Sequence, residues 1–203
     1  SEEKYKCISE TIELNPTMSR RLWLKTSGFL FALAFTGSTD SNAVESSDKI
    51  SIGVITDLHY ADRDVAGNRH YRDSVLKIRE AVKKFNEIKP AFCIELGDFV
   101  DKGESVELEL SYLKTIDAEY VKFEGERHYV IGNHDVATFS KEQFIKNCGV
   151  KKNYYSFDKG EFHFIILDAC YNKDESDYNA GNFKWTETYI PAVEQKWLKK
   201  DLL

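Results

Sequence analysis

The chain of 203 residues has little proline and one methionine, Met18. With 31% charged and 42% hydrophobic residues, it is excluded from the wholly disordered class and has enough apolar material for a core. No CxxC pair exists among its four cysteines, Cys7, Cys93, Cys148 and Cys170. A disulfide scaffold is not suggested at this size, and Cys93 and Cys170, inside apolar runs, read as buried thiols. A basic excess is also missing. The net charge of -6 excludes a general nucleic-acid binder but leaves phosphate chemistry open, because bound divalent metals bring local positive charge. No internal repeat, no low-complexity segment and no apolar run of the roughly 20 residues needed for a membrane span is present.

At the front, Met18 is followed by Ser19-Arg20-Arg21-Leu22-Trp23-Leu24-Lys25, which resembles the twin-arginine export motif. A modest apolar stretch, Gly28 to Phe35, leads through small residues to Ser41-Asn42-Ala43, a cleavage-type site. Residues 18–43 are therefore expected to be an export signal, recognised by export machinery and leaving no stable transmembrane segment. Residues 1–17 are expected to be read-through upstream of the true start, and 44–49, rich in Ser and Asp, a linker. The expected destination is the periplasm or the exterior of a bacterial cell. Residues 50–203 form the N-terminal part of a catalytic domain on this reading.

Within that part, strand and helix alternate. Ile50 to Thr56, Ala91 to Leu96 and His128 to Ile131 read as short buried strands. Tyr71 to Lys89 is helical, with Val75, Ile78, Val82, Phe85 and Ile88 on one face, and Pro90 ends it. Glu104 to Lys122 is a second helix with Leu108, Tyr112, Leu113, Ile116 and Tyr120 toward the core. Ser140 to Cys148 reads as a short helix. Tyr154 to Phe157 and Phe162 to Leu167 form a hairpin around Lys159-Gly160. Tyr171 to Tyr189 is a long polar and aromatic loop, and Pro191 opens a final helix. This pattern predicts α/β layering with mixed sheets.

Three times a strand ends and metal-type ligands follow at once: Asp57-Leu58-His59, Gly97-Asp98, and Gly132-Asn133-His134-Asp135. Sites in layered α/β folds collect beyond the carboxyl ends of strands, so the three blocks are expected to converge. Hard oxygens with imidazole and no thiolate suit Mn, Fe or Zn. The bland alternative is three unrelated turns using Asp, Asn and Gly for turn chemistry; Gly-Asn-His-Asp directly after an apolar strand argues against it.

These blocks, with Gly97-Asp98-Phe99-Val100-Asp101, resemble the calcineurin-like metallophosphoesterase superfamily. The resemblance runs from about Ile50 to the last residue. It implies a layered α/β/β/α sandwich with mixed sheets, incomplete at the C-terminus, and two metal ions. It also implies that Asp98 bridges the metals, that Asp57 and His59 bind the first and Asn133 the second, that His134 contacts the phosphate and protonates the leaving group, and that Asp135 orients His134. Tyr60-Ala61-Asp62, Tyr71-Arg72-Asp73-Ser74, Leu167-Asp168-Ala169, Gly181-Asn182-Phe183 and Gln195-Lys196-Trp197-Leu198 are similar to the manganese-dependent ADP-ribose and CDP-alcohol diphosphatase group. The implied substrate is a small phosphate ester, nucleotide-linked in that group. The superfamily's later Gly-His and Gly-His-x-His motifs have no counterpart here, so by analogy the first metal lacks one ligand and the second two, and this stretch alone would turn over poorly.

Arg69 and Arg72 are candidate substrate-phosphate contacts. Asp101 is expected to support the ligands from behind, and His128 and His163 to be structural. Asp168 would either cap a turn or support the site, and Tyr178, Phe183, Trp185 and Tyr189 would stack on a nucleobase or pack a lid. A hydrolase of phosphodiesters or diphosphates, acting through metal-activated hydroxide, is the leading expectation. A phosphomonoesterase with the same metals, and a non-catalytic exported metal- or ligand-binding protein, are the alternatives.

Overall fold

A computed structural model of the chain describes residues 49–203 and three earlier strands. The strands are β1 Glu10–Leu14, β2 Arg21–Thr26, β3 Phe29–Phe35, β4 Ile50–Ile55, β5 Phe92–Glu95, β6 Arg127–Tyr129, β7 Tyr155–Lys159 and β8 Phe162–Ile166. The helices are α1 Ser74–Ile88, α2 Val106–Tyr120, α3 Lys141–Cys148 and α4 Ala192–Asp201, with single 3-10 turns at Tyr71–Asp73 and His134–Val136. One sheet has the order β1-β4-β5-β6, with β4, β5 and β6 parallel and β1 antiparallel to β4. The other, β2-β3-β8-β7, is antiparallel throughout.

The two sheets face each other through aromatic rings. Phe92 of β5 meets Phe157 and Phe164 edge-on at 5.1 and 4.8 Å, and His128 of β6 stacks on Phe157 at 3.7 Å. Helices α1 and α2 pair with each other beside the first sheet, burying Ile78, Val82, Phe85, Leu113, Ile116 and Tyr120. Helix α4 reaches the second sheet through Asp201, which bonds Ser156 of β7 and His163 of β8. The layers are thus helix, mixed sheet, antiparallel sheet, helix, as the motif resemblance implies. No helix among the described residues is long and apolar enough to cross a membrane.

Local chemistry sets the element ends. Ser105 caps α2 by accepting from the Leu108 amide, and Ser140 and Gln143 form a reciprocal capping box on α3. Helix α1 ends at Lys89 in a left-handed conformation, φ 51°, directly before Pro90. Two helix expectations need correction. Ile88 and Leu108 are 40% and 37% exposed rather than in the core. Ile88 is the last residue of α1, where the chain turns away. In α2 the buried stripe is phased on Glu109, not Leu108, because the Glu109 carboxylate is turned inward onto backbone N–H groups.

Arg21–Thr26 and Phe29–Phe35, inside the segment expected to be an export signal, are strands of the second sheet. Arg20, Ser41-Asn42-Ala43 and residues 44–48 lie outside the described residues, as do 1–9 and 15–17 of the expected upstream segment.

Candidate metal centre

Because β4, β5 and β6 are parallel neighbours, their carboxyl ends open along one edge of the sheet. The loops that follow are tied together by their backbones. Asp57 N donates to Gly97 O at 3.1 Å, His59 N to Asp98 O at 2.8 Å, and Asp101 N to Tyr60 O at 3.0 Å. The third loop joins through side chains: Asp98 Oδ1 accepts from the His134 backbone N–H at 3.0 Å. Asp135 accepts from the N–H groups of Asp98, Val100 and Gly132 at 2.9, 3.0 and 2.8 Å.

Asp57, His59 and Asp98 all have positive φ, at 55°, 45° and 57°. Non-glycine residues avoid this region at a cost of roughly 1–3 kcal/mol each, and such strain gathers at functional sites. Glycines make the crowding possible. A Cβ on Gly132 would run into the backbone nitrogen and Oδ1 of Asp98, and one on Gly97, φ 103°, would lie 2.9 Å from Gly132 Cα.

The side chains converge. Single donor atoms of His59, Asp98 and His134 lie within 4.8 Å of one another. His59 Nε2 is 3.6 Å from both Asp57 Oδ1 and Asp98 Oδ2, and the His59 and His134 rings meet edge-on at 4.5 Å. Asp101 lies between the two imidazoles, 3.4 Å from each Nδ1. Neither contact has hydrogen-bond alignment, and both buried nitrogens lack an aligned partner.

The electrostatics follow from this crowding. Burial by itself would lower the His59 pKa, but Asp101, Asp57 and Asp98 outweigh it and raise it to about 9. Burial raises the Asp98 carboxyl, against the pull of His134 and His59. Burial, with the neighbouring Asp98 charge, pushes Asp135 up to about 8. Burial holds the Glu95 carboxyl well above its usual range too, helped by Asp135, Asp98 and Asp57. The acids and the His59 imidazole so placed hold protons that a divalent cation would replace. Strained ligands, imidazoles with unpartnered buried nitrogens and a thiolate-free oxygen and nitrogen donor set fit Mn, Fe or Zn.

The calcineurin-like phosphoesterase family model matches residues 50–202, the stretch that holds all three loops. The chain belongs to the calcineurin-like phosphoesterase family. Among curated proteins it is 34% identical over 130 residues to the manganese-dependent ADP-ribose/CDP-alcohol diphosphatase of Arabidopsis thaliana, covering 59% of this chain and 42% of that one. It is 32% identical over 130 residues to the protein of the same name from Xenopus laevis, covering 56% and 35%. The chain therefore spans less than half the length of these relatives. A solved dimetal phosphatase from Danio rerio superposes with a TM-score of 0.59 at 19% identity, over 74% of this chain and 64% of that one; at this identity the likeness is one of fold.

For a member of this phosphoesterase family, several expected roles move. Asp135, expected to orient His134, faces backbone N–H groups in this structure. Its two oxygens are taken by three backbone N–H groups, so it braces the loops, and Asp101 is the carboxylate beside the imidazole. Arg72, expected as a substrate-phosphate contact, has its guanidinium 2.6 Å from each of Asp62 and Asp64. Arg69 does reach the site, 3.0 Å from Asp101 Oδ2. Arg63, which sequence reasoning missed, lies 2.7 Å from Asp101 Oδ1 and over the Tyr71 ring at 4.0 Å. Nothing in the spacing around Arg63 marks it, since only the fold brings residues 63 and 101 together. Asn133 immediately precedes the 3-10 turn that carries His134 and makes no side-chain cap hydrogen bond to it.

His128 and His163, expected to be structural, and the remaining candidates have the following surroundings. His128 is buried against Phe157, with its Nδ1 3.0 Å from the Tyr155 hydroxyl. His163 sits between Asp158 and Asp201. Asp168 pairs with the buried Lys141 at 2.8 Å and accepts from Asn153 and the Cys170 amide. In the long loop, Tyr178 is fully buried and stacked on Phe183 at 4.2 Å, whereas Trp185 is 61% exposed.

Proposed function

We propose that this chain is the ligand-bearing part of a two-metal phosphoesterase that hydrolyses phosphodiester or diphosphate bonds of a small, nucleotide-linked substrate. The observation that carries the proposal is the convergence of His59, Asp98 and His134 donor atoms within 4.8 Å, on loops in which Asp57, His59 and Asp98 are left-handed. The family match over 50–202 and the similarity to manganese-dependent ADP-ribose/CDP-alcohol diphosphatases support the reaction class and the diphosphate arm of it.

Asp57, His59 and Asp98 would hold one metal, and Asp98 with Asn133 a second. Bound divalent metals supply Lewis acidity and water that ionises near neutral pH. Asp98, central in the cluster and bonded to the His134 backbone, fixes the third loop against the second. Asp101, kept ionised well below the usual carboxylate range because His134, His59 and Arg63 outweigh its burial, sets the charge facing both imidazoles. His134, the more exposed of the two, is placed to pass a proton to the leaving oxygen. Arg69 and Arg63 put guanidinium charge at the rim, where a phosphate would meet it.

The test is hydrolysis by the chain in Mn of a bis(nitrophenyl) phosphate, a nitrophenyl phosphate and ADP-ribose. Faster turnover of the diester or ADP-ribose supports the proposal. Preference for the monoester would favour a phosphomonoesterase, and Mn binding without any turnover, in a chain extended through the later Gly-His motifs, a binding protein.

We also propose export by the twin-arginine route to the periplasm, supported by Arg20-Arg21 with its apolar and small-residue followers. Cleavage after Ala43 would remove β1, β2 and β3 and leave β4 and β8 at sheet edges. The N-terminal sequence of protein recovered from a bacterial periplasm tests this: a start near residue 44 supports it, and a chain retained in the cytoplasm with β2 and β3 intact overturns it.

A further inference from the structure

Glu109 lies in the first turn of α2, is fully buried, and plays no part in the chemistry above. A carboxylate in that position needs a reason, because burial costs a charged group several kcal/mol unless its oxygens are satisfied. Its two oxygens point in different directions. Oε2 accepts from the backbone N–H of Gly103 at 2.7 Å, and Oε1 accepts from the backbone N–H of Thr138 at 3.2 Å. Gly103 is two residues past Asp101, on the loop that carries Asp98. Thr138 is four residues past His134, on the loop that carries Asn133. The Thr138 hydroxyl closes the arrangement by donating to Gly103 O at 3.2 Å. A Cβ on Gly103 would lie 2.8 Å from Glu109 N, so the loop approaches the helix as closely as glycine allows.

We propose that Glu109 is a positioning residue that sets the separation of the two ligand-bearing loops by clamping Gly103 of one to Thr138 of the other. Asp135 joins the same loops at their roots, through Asp98, Val100 and Gly132; Glu109 joins them further out. With only Asp135 in place, the loops would be hinged at one end. The proposal rests on the two-metal reading for its functional meaning: the first-metal ligands Asp57, His59 and Asp98 lie on loops joined by backbone bonds that do not involve Glu109, whereas the second metal needs Asp98 and Asn133 from the two clamped loops.

The test uses the full chain, as wild type and Glu109→Gln, with Mn alone as the probe. Glutamine offers one acceptor and one donor, so either Gly103 or Thr138 would face an N–H group instead of an oxygen. The expected result has two parts. Amide-exchange protection at Gly103 or Thr138 falls about tenfold or more while Asp98, Val100 and Gly132 keep theirs. Free-Mn measurements show the weaker site losing about tenfold in affinity and the tighter site unchanged, the size typical of groups that orient ligands. Unchanged protection at both amides, or equal weakening of both Mn sites, overturns the proposal. Should Glu109→Gln unfold, Glu109→Asp decides, since it keeps the carboxylate but shortens its reach by one methylene, so that it cannot hold Gly103 and Thr138 together: selective weakening of the second Mn site supports the clamp, and no change overturns it. Neither readout uses a substrate, so a wild type that binds Mn but hydrolyses nothing would count against the phosphoesterase reading alone.

Discussion

Asp98 accepts from the His134 backbone, faces His59 and follows the glycine that lets the loops touch. Asp98→Ala removes the carboxylate shared by both proposed metal positions. Both Mn ions and all turnover are expected to be lost, as read by metal analysis and diester hydrolysis; retained Mn would refute the bridging role. His59 gives a pH prediction. Its metal-free pKa is raised from 6.5 to about 9, so its proton contributes stability that is fully present below pH 6.5 and lost as pH rises toward 9. Asp135, raised to about 8 by burial, acts in the same direction. Without metal, urea unfolding should therefore show stability falling between pH 6.5 and 9, by on the order of 3 kcal/mol from His59 alone. Mn must displace that proton, so its apparent affinity should climb about tenfold per pH unit over the same range. An affinity flat in pH would mean that His59 is not a ligand.

The elements that carry the site are held by backbone conformations as much as by packing. Gly132→Ala would drive a methyl group into the amide nitrogen and Oδ1 of Asp98. A loss of at least about 2–3 kcal/mol in unfolding free energy is expected, with Mn binding abolished. Lys89 offers the opposite case. It holds a left-handed φ of 51° at the end of α1, far from the ligands in sequence and ahead of a proline. Lys89→Gly relieves that conformation and should raise stability by roughly 0.5–1 kcal/mol without touching Mn affinity, read from the denaturation midpoint.

At the scale of the whole molecule, the acids gathered at one edge of the first sheet oppose folding unless a cation joins them. Asp57, Asp98, Asp135 and the buried Glu95 all lie at or just behind that edge. Mn at a hundred times its dissociation constant should stabilise the chain by about 2.7 kcal/mol, seen as a rise in melting temperature that EDTA reverses. The aromatic sandwich of Phe92, His128, Phe157 and Phe164 lies between the sheets and should keep its packing in either state.

The amino-acid sequence by itself determined the alternation of elements and the three ligand blocks. A strand that ends in Asp-x-His, Gly-Asp or Gly-Asn-His announces local chemistry, and strand ends in a parallel sheet share an edge. It also marked Asp101, directly after Val100, as a supporting carboxylate. Which carboxylate serves which neighbour was decided only in three dimensions. Asp135 adjoins His134 in the chain yet spends its oxygens on backbone amides, while Asp101, 33 positions away, faces the ring. Arg63, the inward turn of Glu109 and the diversion of Arg72 to Asp62 and Asp64 have the same origin: a polar side chain takes whatever partner the folded backbone places within about 3 Å, and chain order does not record that distance.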